Sequence, residues 1–131
     1  MVDRANGQII CTAHGKGRED DFRIFKNSKV RLREDIKCFG DKGYQGIQKL
    51  HGKSRIPKKK PRAGKLTSED KKSNQELAKI RVLCEHVHRK PKVFKILSLT
   101  YRNRRKRFGL RFDLIAALYN YELHLPQSEF A

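Results

Sequence analysis

The amino-acid sequence predicts a mixed α/β fold, with short strands in its first half and helices in its second half. Residues 8–12 and 36–41 are short apolar runs beside glycine-containing turns, a pattern that is typical of strands. From residue 68 onwards, apolar residues recur every three or four positions, which is the period of an amphipathic helix. Strands followed by long helices favour one mixed domain over an all-helical protein.

The first half is expected to contain a hairpin, a helix and a further strand. Asn6-Gly7 is a favoured two-residue hairpin turn, so residues 8–12 should pair with the short stub before it. A helix is predicted over residues 21–33 and a strand over residues 36–41. The glycines of residues 42–46 predict a turn directly after this strand.

A long helix is predicted over residues 68–90. Thr67 and Asp70 have the spacing of a capping box at its start, and Pro91 should end or kink it. Its buried face is expected to be a stripe at steps of three, four and three residues: Leu77, Ile80, Cys84 and Val87.

Three further segments complete the prediction. Residues 93–99 are apolar enough to be buried, either as a short strand or as a helical turn. A last helix is predicted over residues 110–123, and residues 125–131 should form a loose tail. The inward face of the last helix is expected to be Leu110, Leu114, Ala117, Leu118 and Tyr121.

The composition indicates a polyanionic partner. The chain has 131 residues, and 32 lysines and arginines against 14 aspartates and glutamates give a formal net charge of +18. So large an excess repels itself in a compact state, and nucleic acid is the simplest partner to offset it. No segment has transmembrane length and no signal-peptide pattern opens the chain, so we expect no membrane partner and a cytoplasmic location. The three separated cysteines predict reduced thiols.

Two segments without acidic residues concentrate the positive charge: a basic loop over residues 53–66 and a basic run over residues 101–111. Lysine and arginine side chains in such segments make strong, salt-sensitive contacts with phosphates. The alternative is two solvated charged faces, but the net charge favours contact with DNA. The predicted DNA contacts are Lys58, Lys59, Lys60, Arg62, Arg102, Arg104, Arg105, Lys106 and Arg107.

Asp41 and Glu85 are the candidate catalytic carboxylates. Asp41 stands where a predicted strand gives way to a glycine turn, and Glu85 is one position off the apolar stripe of the long helix. Two carboxylates in one cleft can hold Mg²⁺, a hard ion that prefers oxygen ligands. The competing interpretation is that Glu85 simply pairs with Arg81, one helical turn earlier.

A group of softer ligands, Cys84, His86 and His88, is the alternative candidate for a metal site, with zinc as the ion. Residues two apart on a helix point to different sides, and this spacing fits no standard zinc module. A buried apolar role for Cys84 is the favoured interpretation.

Several segments, taken in order along the chain, resemble the conserved blocks of bacterial insertion-sequence DDE transposases. Residues 40–46 (GDKGYQG) are similar to the second catalytic motif, and residues 74–82 with 85–87 to the helix that bears the third acid. The other similar segments are residues 56–61, 92–97, 101–108 and 115–120. The segments are collinear and cover nearly the whole chain, so together they are specific.

This resemblance implies a ribonuclease-H-like fold and metal-dependent phosphoryl transfer on DNA: cleavage at the element ends, then strand transfer. It gives Asp41 the role of the second acid and Glu85 that of the third, as ligands of Mg²⁺ or Mn²⁺ in the intact protein. Residues 1–124 would then be a partial catalytic domain, N-terminally truncated, because the strand with the first acid has no counterpart. Asp3 belongs to the hairpin and Asp21 to a structural position.

The expected function is therefore that of a fragment of a bacterial transposase, inactive alone, acting on nucleoid DNA, and completed where an upstream reading frame supplies the missing part. The alternative is a non-catalytic basic remnant that binds DNA and modulates a full-length transposase by joining its complexes. A third possibility, a small basic ribosomal protein, would not require the Asp41 turn and Glu85. A fold exposing a sheet edge is also expected to be marginally stable and prone to aggregate.

Overall fold

The computed structural model of the protein describes residues 1–99 and 107–126, and it contains helices and a small sheet, in agreement with the predicted α/β class. The residues group into two compact units. One is Gly15–Val82, and the other combines Met1–His14 with the chain from Leu83 onwards. The prediction of a single catalytic domain over residues 1–124 stays a prediction. Among the described residues, no helix is both long and apolar enough to cross a membrane.

In the Gly15–Val82 unit, helix α1 spans Asp21–Asn27 and is shorter than predicted. The extension to residue 33 was wrong, because the backbone turns away after Asn27. Ser28 donates its hydroxyl to the Phe25 carbonyl at 2.6 Å, and Lys29 adopts a left-handed conformation with φ of +53°. A side-chain bond to the preceding turn and a left-handed residue together end a helix.

Two short parallel strands form the sheet of this unit. Strand β1 (Cys38–Phe39) pairs with β2 (Ser54–Arg55), with Cys38 opposite Ser54 and Phe39 opposite Arg55. The predicted strand over residues 36–41 is thus reduced to two residues in strand geometry. The amide of Gly40 continues the ladder by donating to the carbonyl of Arg55 at 2.9 Å.

Helix α2 spans Ser68–Arg89, close to the predicted bounds. At its start the Thr67 hydroxyl accepts a hydrogen bond from the amide of Asp70 at 3.1 Å, which satisfies one of the helix's orphan amides. Leu77 and Val87 are buried and Ile80 and Cys84 are half-buried, so the predicted stripe is confirmed.

Proline ends α2 as expected. Pro91 is buried and starts a short 3₁₀ turn, Pro91–Val93, since it cannot continue the α-helical hydrogen bonding. Helix α3, Lys95–Ser98, follows, so a helical turn rather than a strand forms within residues 93–99.

The N-terminal hairpin is smaller than predicted. Val2 and Ile9 form an isolated antiparallel bridge, and the Asp3 amide donates to the Gln8 carbonyl at 2.8 Å. The two-residue turn was wrong, because four residues (4–7) link these partners and Gly7, with φ of +74°, closes the loop. Residues 8–12 do not form a strand beyond the bridge, because helix α4, and not a second strand, satisfies the backbone of Ile9.

Helix α4 spans Phe108–His124, and its predicted inward face was wrong. Its buried residues are Ile115, Ala116 and Tyr119, whereas the predicted set is largely exposed: Leu110, Leu114, Ala117, Leu118 and Tyr121. Polar contacts, and not the apolar periodicity, determine which face of the helix is buried. Hydrogen bonds from residues 8–12 reach Asp113, Asn120 and His124, which lie along one stripe of the helix and fix its rotation. Of the predicted tail, residues 127–131 lie outside the described residues.

Candidate functional site

Asp41 lies on a tight turn directly after β1. Its own carbonyl accepts a hydrogen bond from the Tyr44 amide at 3.0 Å, and its carboxylate accepts one from the Lys42 amide at 2.5 Å. Gly46 closes the turn with φ of +90°, a left-handed conformation that a Cβ atom disfavours and that glycine adopts readily. The structure therefore places Asp41 at the strand end, as the sequence predicted.

An aromatic cluster supports this turn. The ring of Tyr44 lies edge-on to those of Phe22 and Phe25, both at 6.1 Å between centroids. Burial, and then the neighbouring carboxylates led by Asp21 and Asp41, raise the pKa of Tyr44. At the other end of the turn, a Cβ on Gly40 would lie only 3.1 Å from the Ile56 side chain, so glycine permits the close packing there.

A basic side chain from α2 contacts Asp41. The guanidinium Nη1 of Arg81 lies 3.2 Å from Asp41 Oδ1. The carboxylate is nonetheless 55% exposed, so it is open to solvent on its other side. The sequence indicates Arg81 only as a partner of Glu85, because spacing along a helix predicts pairs one turn apart. It does not predict a contact between residues 40 positions apart.

Glu85 is exposed on α2, one residue after half-buried Cys84, at the border that the periodicity predicted. It belongs to the other compact unit, so a joint site with Asp41 stays a prediction. Asp3, which the sequence assigns to the hairpin, accepts a hydrogen bond from the Ala5 amide at 2.8 Å within the turn.

The soft ligands lie on α2 without gathering a full ligand set. Cys84 Sγ lies 3.8 Å from His88 Nε2, one turn along the helix, while His86 is exposed. Burial, followed by nearby positive charge, lowers the pKa of His88. Within residues 1–99 and 107–126, no group of three or more His, Cys, Asp or Glu residues could hold a metal ion.

The basic loop is bonded to helix α2 at Lys58, and its cations beyond that residue are exposed. The Lys58 backbone bonds twice to the Asn74 side chain, and the Lys58 ammonium lies 2.5 Å from the Asp70 carboxylate. Beyond Lys58, every cation of the loop is exposed: Lys59, Lys60, Arg62 and Lys65.

The second basic run lies mostly outside the described residues. Four of its predicted DNA contacts lie outside them: Arg102, Arg104, Arg105 and Lys106. Arg107 is described, and it is exposed directly before α4.

Sequence reasoning missed a buried polar cluster beside β2. The His51 ring is buried, with Nδ1 2.8 Å from the Ser54 hydroxyl and Nε2 3.0 Å from the Arg33 carbonyl oxygen. Because Nε2 faces a carbonyl, it donates, and Nδ1 accepts from Ser54. No sequence motif marks this contact, which joins residues 18 apart, so only the fold shows it.

Comparison with known proteins identifies the family. A model described as DDE superfamily endonuclease matches residues 1–120. The chain belongs to the DDE superfamily of endonucleases. Over 125 residues this DDE chain is also 54% identical to the "Probable transposase for insertion sequence element IS702" of Microchaete diplosiphon. The family resemblance drawn from the motifs is therefore confirmed.

The extent of the match is as important as its strength. The alignment covers 95% of this DDE chain but 45% of the IS702 protein, so the chain spans less than half the length of that relative. No solved structure matches significantly. Asp41 and Glu85 both lie within the residues that the family model matches. Their individual roles stay predictions.

Proposed function

We propose that this chain supplies the second and third acids, Asp41 and Glu85, of a ribonuclease-H-like DDE transposase that cleaves DNA and joins its strands. The observation that carries the proposal is the attachment of Asp41. It follows a strand of a parallel sheet and contacts α2 through Arg81, and the same helix carries Glu85 four residues later.

The chemistry of Asp41 fits a hard divalent cation such as Mg²⁺ or Mn²⁺. Its carboxylate is exposed and already has a cationic partner, so the position attracts positive charge. When bound, such ions activate a hydroxyl or water nucleophile and stabilise the leaving oxygen of a phosphodiester. Asp41 and Glu85 would hold them, together with a further carboxylate.

The 131 residues alone are expected to be inactive, because two acids do not complete a three-acid site. A full-length transposase subunit, or the remaining part of such a protein, is the partner that would supply the missing first acid. The basic loop would hold the DNA, with exposed Lys59, Lys60 and Arg62 at its phosphates. Arg107 and the basic residues at 102–106 are the other proposed contacts. The sequence also predicts Lys58, but its ammonium bonds to Asp70 instead.

Activity can be tested in a chimera in which this chain replaces the matching 45% of the IS702 protein. We call this protein the IS702 chimera. It should nick labelled DNA that carries the ends of the relative's element, and only with Mg²⁺ or Mn²⁺. Asp41→Asn and Glu85→Gln should each lower the rate by roughly a hundredfold or more, by analogy with other groups that stabilise charge in a transition state.

Two neighbouring acids serve as matched controls in the chimera. Asp35→Asn and Glu76→Gln remove one exposed carboxylate each, the first outside the turn and the second on α2, and should leave nicking unchanged. Equal losses from the controls, or full activity of Asp41→Asn, would refute the catalytic roles.

The second candidate function is a non-catalytic DNA-binding remnant, favoured by the net charge of +18. It predicts that the 131-residue chain binds duplex DNA with an affinity that falls steeply with salt, and that it inhibits full-length transposase. Both functions require DNA binding. Nicking by the chimera separates them, since a pure remnant would leave the chimera inactive.

A further inference from the structure

The part of the basic loop that follows Lys58 is attached to helix α2 at both of its ends. At one end, Lys58 bonds to Asp70 and Asn74 in the first turns of the helix. At the other end, the loop runs into Thr67, which caps the same helix. We call residues 59–65 the loop tip. A surface segment whose ends are fixed close together is compact and pre-ordered, whereas one fixed at a single end is not.

Asn74 holds the backbone of Lys58 at both polar groups. Its Oδ1 accepts from the Lys58 amide at 2.9 Å, and its Nδ2 donates to the Lys58 carbonyl at 3.1 Å. This is the pattern by which a neighbouring strand would satisfy the residue. Because it depends on the backbone alone, the anchor is independent of the lysine side chain.

The Lys58 side chain is directed back to the protein. Its ammonium donates to Asp70, whose carboxylate is mostly covered and whose backbone amide donates to the Thr67 hydroxyl. The same hydrogen bond is the main cause that raises the pKa of Lys58 and lowers that of Asp70. Both groups therefore stay charged at neutral pH and offset each other. The Lys58 side chain is itself 70% exposed, but it is paired with Asp70. The loop-tip cations, at positions 59, 60, 62 and 65, are exposed in a segment without acidic residues.

We infer that Asn74 is a positioning residue for DNA binding, that Lys58 is an anchor rather than a phosphate contact, and that within the basic loop it is the loop tip that contacts the phosphate backbone. The inference rests on the proposed DNA-binding function and refines it. Pre-ordering the tip lowers the entropy that binding would otherwise cost. Loss of the anchor should therefore weaken binding without changing the number of phosphates contacted.

The anchor can be tested without DNA. Amide exchange in the 131-residue chain should be slow at Lys58 and roughly tenfold or more faster in Asn74→Ala, because the amide loses its acceptor. Gln75→Ala is the matched control, since Gln75 is an exposed amide at the next position of α2. Unchanged exchange at Lys58 in Asn74→Ala would overturn the anchor. Exchange in the second half of α2 reports whether the variant is folded.

Salt dependence tests which cations contact phosphate. The logarithm of the affinity falls linearly with the logarithm of the salt concentration. Each lost phosphate contact on duplex DNA makes this slope less steep, which we call lowering it, by about 0.9. Lys59→Gln with Lys60→Gln should lower the slope by roughly two such steps. Lys58→Gln with Asp70→Asn keeps the net charge and the Asn74 bonds, and should leave the slope unchanged. A slope lowered as much by this second pair would overturn the role of Lys58.

Asn74→Ala completes the test. It should weaken DNA binding by roughly three- to tenfold at an unchanged salt slope, because the tip must be ordered on binding. A lowered slope, or unchanged affinity, would refute the positioning role. If the wild-type chain shows no salt-dependent DNA binding, the proposed function fails, while the exchange of the Lys58 amide still decides whether the anchor exists.

Discussion

Arg81 and Asp41 lie 3.2 Å apart, nitrogen to oxygen, although 40 residues separate them in sequence. The contact joins the turn that bears the proposed second acid to helix α2. Because the pair is partly exposed, it contributes no more than about 1 kcal/mol to stability. Its larger consequence is electrostatic, since the guanidinium occupies one oxygen of a carboxylate proposed to bind a divalent cation.

We predict that Arg81→Gln increases the affinity of the IS702 chimera for Mn²⁺. The cation would no longer compete with the guanidinium for Asp41, so a gain of about two- to fivefold is expected from the energy of an exposed pair. Free Mn²⁺ can be followed by electron paramagnetic resonance during a titration. Lys79→Gln removes an exposed positive charge from the same helix and is the control. Equal affinities of the two variants would contradict the competition.

Asn120 should be a major determinant of stability in the unit that contains α4. Its side chain bonds to both the amide and the carbonyl of Ile9, each at 2.8 Å. Asn120→Ala leaves two partly buried backbone groups without these partners and is expected to cost about 1–3 kcal/mol in the free energy of unfolding. Urea unfolding measures the loss. Glu122→Ala, an exposed change on the same helix, should alter stability by less than about 0.5 kcal/mol.

The contrast between α2 and α4 shows what sequence can predict. Helix α2 was found within one residue because its determinants are local: a capping threonine, a stripe of apolar residues and Pro91. The rotation of α4 was missed because it depends on hydrogen bonds to residues more than 100 positions away. The apolar residues of α4 occur on more than one face, so periodicity alone could not choose between them.

The same distinction applies to the candidate site. The glycine turn marked the position of Asp41, and the border of an apolar stripe marked that of Glu85. Their surroundings were not predictable. Arg81 contacts Asp41, and Asn74 contacts Lys58, because the chain folds back onto α2. A pattern along the sequence predicts neither contact. The absence of acidic residues identified the basic loop. It could not distinguish Lys58, which pairs with Asp70, from the other lysines of the loop.

Tyr44 should make the Gly15–Val82 unit less stable at alkaline pH. Burial and nearby carboxylates raise its pKa, so the folded state holds the phenolic proton more tightly than the unfolded chain does. The contribution of the Tyr44 phenol to the free energy of unfolding is therefore fully present below the ordinary tyrosine pKa of about 10. It is lost as the pH rises from there through the raised pKa of the folded state. Tyr44→Phe should flatten this decline in urea unfolding measured across alkaline pH.

The control for Tyr44 is Tyr121, which is 65% exposed. Tyr121→Phe removes an exposed phenol and leaves Tyr44 in place, so the decline of stability at alkaline pH should persist. A decline of the same steepness in Tyr44→Phe as in the wild-type chain would show that the Tyr44 phenol is not its source.

Leu114 and Ile115 provide the sharpest test of how α4 is oriented. They are adjacent apolar residues, but Leu114 is 60% exposed and Ile115 only 6%. Ile115→Ala should cost about 2–4 kcal/mol, because it removes buried methyl groups and leaves a cavity. Leu114→Ser should leave the free energy of unfolding almost unchanged and raise solubility, because it shrinks an exposed apolar surface that also includes Leu110 and Leu118. Thermal melts and the solubility limit of the two variants measure both effects. The reverse order of stabilities would restore the face predicted from the periodicity, and would mean that the hydrogen bonds to Asn120 do not set the rotation of the helix.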